Sequence, residues 1–224
     1  MDITDFSFEN GLPDPDELTR AWLPEIEKAA SAHVAESKLQ IFFIAALRVG
    51  AKSRGLANFN LKEVIELSGY SKSTFFRIFE GHTAFMYEAY LLTAKLSFKV
   101  FEKHLVTRER SLEDLARFTT EMFYGANCTV PSEFTQLLWE EHGGLHSEFH
   151  PHLVELPPIL LRYLRNNGPT QHLNISEAEL LGVIQTLDWD MLNARIDPSK
   201  TFPSVEQYDR LRKMFYGMLV ASAI

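Results

Sequence analysis

The feature that most constrains the fold is the regularity with which helix-starting and helix-ending residues punctuate the chain. Apolar residues recur at three- and four-residue spacing, and strand-like alternation is scarce. Asp14-Pro15-Asp16-Glu17 reads as a helix start, with Pro in the first turn and acids at the positive end of the dipole. That helix should reach about Ala35, with a break near Pro24. Residues 36–54 predict a second helix with the stripe Leu39, Phe42, Phe43, Ala46 and Leu47, closed by Gly55. Asn60 can cap Leu61–Leu67, Gly69 can make a tight turn, and Ser71 can cap Lys72 to about Phe79. Gly81 then precedes a long helix to Leu105. Beyond it, Ser111, Pro131-Ser132, Ser176 and Ser204 open helices, with a capping box at Ser176–Glu179. Residues from about Glu148 or His152 to Asn167 predict another helix, with Pro157-Pro158 inside it or at its start. About nine or ten helices result, and the predicted class is all-α.

Composition narrows the options. The 224 residues include one cysteine, so no disulfide can form within the chain; Cys128 reads as a small buried hydrophobe. A hydrophobic share of 46% argues for a globular chain. The longest purely apolar run, Ile41 to Leu47, falls short of the ~18 residues a membrane helix needs. The acidic start has no signal-peptide character, so a soluble cytoplasmic protein with no membrane partner is expected. No cofactor is expected either, because no catalytic triad or phosphate-cradling glycine loop is evident.

The net charge of −8 argues at first against a nucleic-acid partner. Its distribution reverses that inference. Residues 1–35 carry −6, residues 36–104 carry +4, and residues 105–224 carry −6. A basic segment inside an acidic chain points to a nucleic-acid module joined to something else.

The basic segment holds two short helices joined by a glycine turn, the shape of a helix-turn-helix whose second helix enters the major groove. Ser71, Lys72, Ser73, Thr74 and Arg77 on that second helix are small or cationic and suit phosphates and base edges. Phe75, Ile78 and Phe79 give it an apolar side. An ordinary helical corner has the same spacing.

The run Phe59-Asn60-Leu61-Lys62-Glu63-Val64-Ile65-Glu66-Leu67-Ser68-Gly69-Tyr70-Ser71-Lys72-Ser73-Thr74-Phe75-Phe76-Arg77-Ile78-Phe79, then Gly81-His82-Thr83-Ala84-Phe85, resembles the DNA-binding region of the tetracycline-repressor (TetR) family. With the preceding Phe43-Ile44-Ala45-Ala46-Leu47 the resemblance covers roughly a quarter of the chain. It departs from the family pattern at Val64-Ile65, where Ile-Ala is usual, and at Thr83, where an acid is usual. Phe76 replaces a tyrosine and His82 a lysine, which removes a phenolic hydroxyl and leaves a pH-dependent cation. An N-terminal arm and extra helix at 1–35 precede where the family's first helix usually starts; the resemblance implies a DNA-binding domain at 36–82 and a ligand-binding and dimerisation domain at 83–224. It implies a ligand-responsive transcriptional regulator, expected to be a repressor, that binds a pseudo-palindromic double-stranded operator as a homodimer. DNA contacts are expected from Lys38, Asn60, Ser71, Lys72, Ser73, Thr74, Phe76, Arg77 and His82.

The same resemblance implies an effector pocket in the second part. Phe98, Phe101, Leu105, Phe118, Met122, Phe123, Leu138, Trp139, Phe149 and Tyr163 are the candidate lining, which suits a small, mainly apolar effector. The dimer stripe is expected on the last two helices, from Leu180, Ile184, Leu187 and Met191 and from Tyr208, Leu211, Phe215 and Met218.

Two alternatives remain open. One is a TetR-like interaction protein with weakened DNA binding, suggested by Phe76 and His82. The other is a helical metal-binding enzyme using His142, His146, His150 and His152, since imidazoles and carboxylates ligate zinc, nickel or iron. Gly143-Gly144 and Pro151 interrupt any helix that would align those imidazoles.

Overall fold

The computed structural model describes residues 14–33, 37–52, 60–128, 132–141, 151–197 and 199–221. Among the described residues there are ten α-helices and no β-strand. They are α1 (Pro15–His33), α2 (Lys38–Lys52), α3 (Leu61–Ser68), α4 (Lys72–Ile78), α5 (His82–Leu105), α6 (Leu112–Cys128) and α7 (Ser132–Glu141). A 3-10 turn at Pro151–Glu155 leads into α8 (Leu156–Asn166), and α9 (Glu177–Ile196) and α10 (Val205–Ala221) follow. No helix of the described residues is long and apolar enough to cross a membrane.

α1 is the binding strap of the fold. It packs against α2, α5 and α6, so it touches both the basic segment and the rest of the chain. Trp22, Leu23, Ile26 and Ala30 bury its inner face. The expected break at Pro24 does not occur: the helix runs through it. A mid-helix proline costs roughly 3 kcal/mol, and burying Trp22, Leu23 and Ile26 at roughly 1.5–3 kcal/mol each offsets that. Pro24 itself faces solvent.

The expected stripe of α2 needs one correction. Phe42, Phe43, Ala46 and Leu47 are buried, but Leu39 is 41% exposed and Gln40 is buried instead. α2 is covered by α1 as well as α3, and Gln40 lies on the α1 side, where its Nε2 donates to the Ala30 carbonyl at 3.1 Å. Gly55 lies outside the described residues.

α5 is the long central member. Phe85, Met86, Ala89, Leu96, Val100 and Leu105 are buried along its length, and its last turns contact α6 and α8. Farther on, α6 packs against α10, α7 against α9, and α8 against both α5 and α9. The expected capping box forms: Ser176 N–H donates to Glu179 Oε2 at 2.7 Å, and Glu179 N–H donates to Ser176 Oγ at 3.2 Å. Those bonds hold the Glu179 carboxyl below its usual range.

Candidate nucleic-acid interface

Each turn of the basic segment follows from its sequence. Asn60 is extended and accepts the Lys62 N–H at 3.0 Å, which starts α3. Gly69 ends α3 at φ +74°, a left-handed conformation that favours glycine. Ser71 then caps α4 by accepting the Thr74 N–H at 3.2 Å. Its Oγ also lies 2.8 Å from Ser73 Oγ and 3.0 Å from Thr74 Oγ1.

Aromatic packing holds α4 down. Phe75 is fully buried, with its ring centroid 5.4 Å from Phe42, 4.9 Å from Phe79 and 5.2 Å from Phe85. Edge-to-face arrangements of this kind add to the area term. Because Phe85 belongs to α5, α4 is fixed to the first turn of the long helix.

With Phe75 inward, the other side of α4 is set by helix geometry. Lys72, Ser73, Phe76 and Arg77 are exposed together, one turn apart in pairs. The Lys72 ammonium sits 5.7 Å from the Phe76 ring centroid. Lys38, at the start of α2, lies 5.6 Å over the Tyr70 ring. His82 is the first residue of α5, and burial lowers its pKa from the ordinary 6.5. Of the expected DNA contacts, Lys38, Asn60, Ser71, Lys72, Ser73, Phe76, Arg77 and His82 are exposed, and Thr74 is partly buried. The Asn60 and Ser71 side chains cap α3 and α4, and Thr74 supplies the backbone N–H that Ser71 accepts.

The expected pocket lining is distributed through the core. Phe98, Phe101, Leu105, Phe118, Met122 and Tyr163 are buried, and Phe123 and Trp139 are partly buried. Phe101 stacks on Phe118 at 5.5 Å. The Tyr163 hydroxyl donates to the Arg108 carbonyl at 3.0 Å and so ties a loop down. Phe149 and the Leu138 side chain lie outside the described residues.

The residues of the expected dimer stripe are packed within the single chain. Leu180, Ile184, Leu187, Met191, Tyr208, Leu211 and Phe215 are at most 4% exposed within the single chain, and Met218 packs against the same core. These side chains serve the monomer because α9 is covered by α7 and α8, and α10 by α6. The last two helices meet where Asp190 receives Gln207 Nε2 at 3.3 Å and Arg210 Nη2 at 2.7 Å.

A buried polar centre was not anticipated. Arg195, 1% exposed, donates to Asn127 Oδ1 at 2.8 Å and to Thr135 Oγ1, while Gln136 donates to its carbonyl at 3.1 Å. Tyr90 hydrogen-bonds to Arg195 and feels the charge of buried Asp188; burial pushes its phenol well above its ordinary range. The available signal was the seven-residue spacing of Asp188 and Arg195, which puts them on one face of α9.

Of the histidine cluster, His142, His146 and His150 lie outside the described residues. His152 is half-buried, with Nδ1 2.9 Å from Glu155 Oε1, and Lys95 Nζ is 3.7 Å from the same oxygen. Among the described residues, no group of three or more His, Cys, Asp or Glu side chains is placed to hold a metal.

Comparison with known proteins gives no match to this chain, whether against family models, curated sequences or solved structures.

Proposed function

We propose that the chain is a DNA-binding transcriptional regulator of the helix-turn-helix type, a ligand-responsive repressor that reads a pseudo-palindromic operator as a homodimer. The observation that carries this reading is the outward face of α4. Lys72, Ser73, Phe76 and Arg77 are exposed on a helix whose opposite side is fixed by buried Phe75. Two cations can neutralise phosphates, and a short hydroxyl permits close approach to the bases. The +4 charge of residues 36–104 supports the same reading.

A homodimer would use the outward sides of α9 and α10, where Trp189, Tyr216 and Val220 are exposed. The effector is taken to be small and mainly apolar, bound among the aromatic side chains of the second part. Its release of DNA would require unequal affinity for two head spacings.

The test is selection of a duplex from a random-sequence pool, followed by a salt titration. The full chain should bind the selected duplex at tens of nanomolar or tighter, as specific regulators do at about physiological salt. Lys72→Ala with Arg77→Ala should weaken that binding at least about tenfold and flatten the salt dependence by about one unit per cation. Uniformly weak binding to every sequence would defeat the reading and favour an interaction protein instead.

A further inference from the structure

The side chain on α4 that charge neutralisation does not explain is Phe76. It is 47% exposed, on the same face as Lys72 and Arg77. A ring so placed leaves apolar area in water, at a site surrounded by cations that attract polyanions. It is held on two sides. Phe75 packs edge-on at 5.3 Å and 84°, and the Lys72 ammonium lies 5.7 Å from the ring centroid. Phe75 is itself immobilised by Phe42, Phe79 and Phe85. The ring is therefore supported from the core, so little rotamer freedom remains to be lost on binding.

What complements an apolar disc between cations is an apolar group inside an anionic groove. The major groove of B-DNA offers one such group, the 5-methyl of thymine, and phenylalanine is among the side chains that contact it. Lys72, on the same side of α4, and Arg77 can meet the flanking phosphates while the ring faces the methyl. Phenylalanine has no hydroxyl to give to a phosphate, so contact with the methyl uses what this side chain has.

Resting on the DNA-binding reading above, we infer that Phe76 is a specificity-determining residue that selects a thymine in each half-site through its 5-methyl group.

The test crosses two changes on the full-length chain. Binding to the duplex selected by the unaltered protein is measured as thymidines are replaced by deoxyuridine, one symmetric pair at a time, and repeated with Phe76→Ala and Phe76→Leu. Deoxyuridine keeps the pairing edge and removes only the methyl. One symmetric pair should weaken binding of the unaltered protein about fourfold per half-site, the factor associated with one buried carbon. The same replacement should change Phe76→Ala binding by less than about twofold, and Phe76→Leu should retain part of the discrimination. Phe76 is half-exposed, so both variants are expected to keep a cooperative fold with a modest fall in thermal stability, checked alongside by thermal unfolding. If the unaltered protein selects no sequence, the DNA-binding reading fails and this inference with it. If it selects a duplex but no deoxyuridine replacement weakens binding, or the effect is equal in Phe76→Ala, the regulator stands and the assignment to Phe76 is overturned.

Discussion

The Trp22 indole N–H donates to Ser97 Oγ at 3.2 Å, joining two buried residues 75 positions apart. The bond fixes α1 to the middle of α5, and the Ser97 hydroxyl in turn donates a hydrogen bond to the Thr93 carbonyl at 2.9 Å. Nearby, Lys103 Nζ meets Glu25 Oε2 at 2.6 Å, and Arg48 Nε meets Glu27 Oε1 at 2.7 Å. α1 thus holds α2 with one acid and α5 with another. Lys103 holds the Glu25 carboxyl below its usual range. Both pairs are solvent-accessible and contribute little; the tryptophan dominates. Trp22→Ala should lower stability by about 3–5 kcal/mol. Trp22→Phe keeps most of the area and should cost about 1 kcal/mol for the lost hydrogen bond. Urea unfolding of both variants checks this order.

A second joint lies between α8 and the loop before α6. Asn167 Oδ1 accepts the Arg110 N–H at 3.0 Å, while its Nδ2 donates to the Arg110 carbonyl at 2.9 Å and to Thr170 Oγ1 at 2.6 Å. Asn167→Ala strips the buried Arg110 N–H and C=O of this partner, while Thr170 Oγ1 keeps its bond to the Leu164 carbonyl, and a loss of about 2–4 kcal/mol is expected. The Arg110 side chain behaves differently. Its guanidinium lies 3.8 Å over the Phe118 ring and donates to the His104 carbonyl, and burial lowers its pKa. Among the described residues, no carboxylate pairs with it. Arg110→Met removes a buried charge and keeps length, so stability should change by about 1 kcal/mol or less. Equal losses in the two variants would show that the side chain matters as much as the backbone clasp.

Gly69 sets the angle between α3 and α4. A Cβ there would meet nothing within 4 Å, so any cost of substitution is conformational. Gly69→Ala should cost about 1–2 kcal/mol from the positive φ alone. Gly69→Asn should cost less, because asparagine tolerates that region. If both are neutral in thermal and urea unfolding, the turn relaxes without consequence.

How much of this was legible in the sequence depended on the range of the interaction. Asn60, Gly69, Ser71 and Ser176 act on groups within three residues, so their roles were readable and the helix ends follow them. Local signals overstate some interruptions: Pro24 marks a break only where no tertiary contact outweighs it. The periodic stripes on α9 and α10 correctly marked buried faces. Which neighbour buries them is a tertiary fact, and α6, α7 and α8 supply it within one chain. The Arg195 centre draws Tyr90, Asn127, Thr135 and Asp188 from four helices, and only the Asp188–Arg195 pair shares a spacing. On α4 the outer face was legible because buried Phe75 fixes the helix rotation.

His82 yields the last prediction. The residue is exposed, but partial desolvation disfavours the imidazolium and holds its folded pKa below 6.5. The unfolded chain therefore takes up this proton first as pH falls. The stability tied to His82 is present above about pH 6.5 and is lost as pH falls through the folded pKa. DNA binding should run the opposite way. A phosphate near the start of α5 would favour the imidazolium, raise its pKa and couple binding to proton uptake. Affinity for the selected duplex should then rise between about pH 7.5 and about pH 6.5. His82→Gln cannot take up the proton, so its binding should be less pH-dependent and should match the unaltered protein near about pH 8, where His82 is neutral. Fluorescence anisotropy at constant ionic strength measures both slopes. Identical slopes in the two proteins would place the phosphate away from His82 and leave the outer face of α4 to carry the contact.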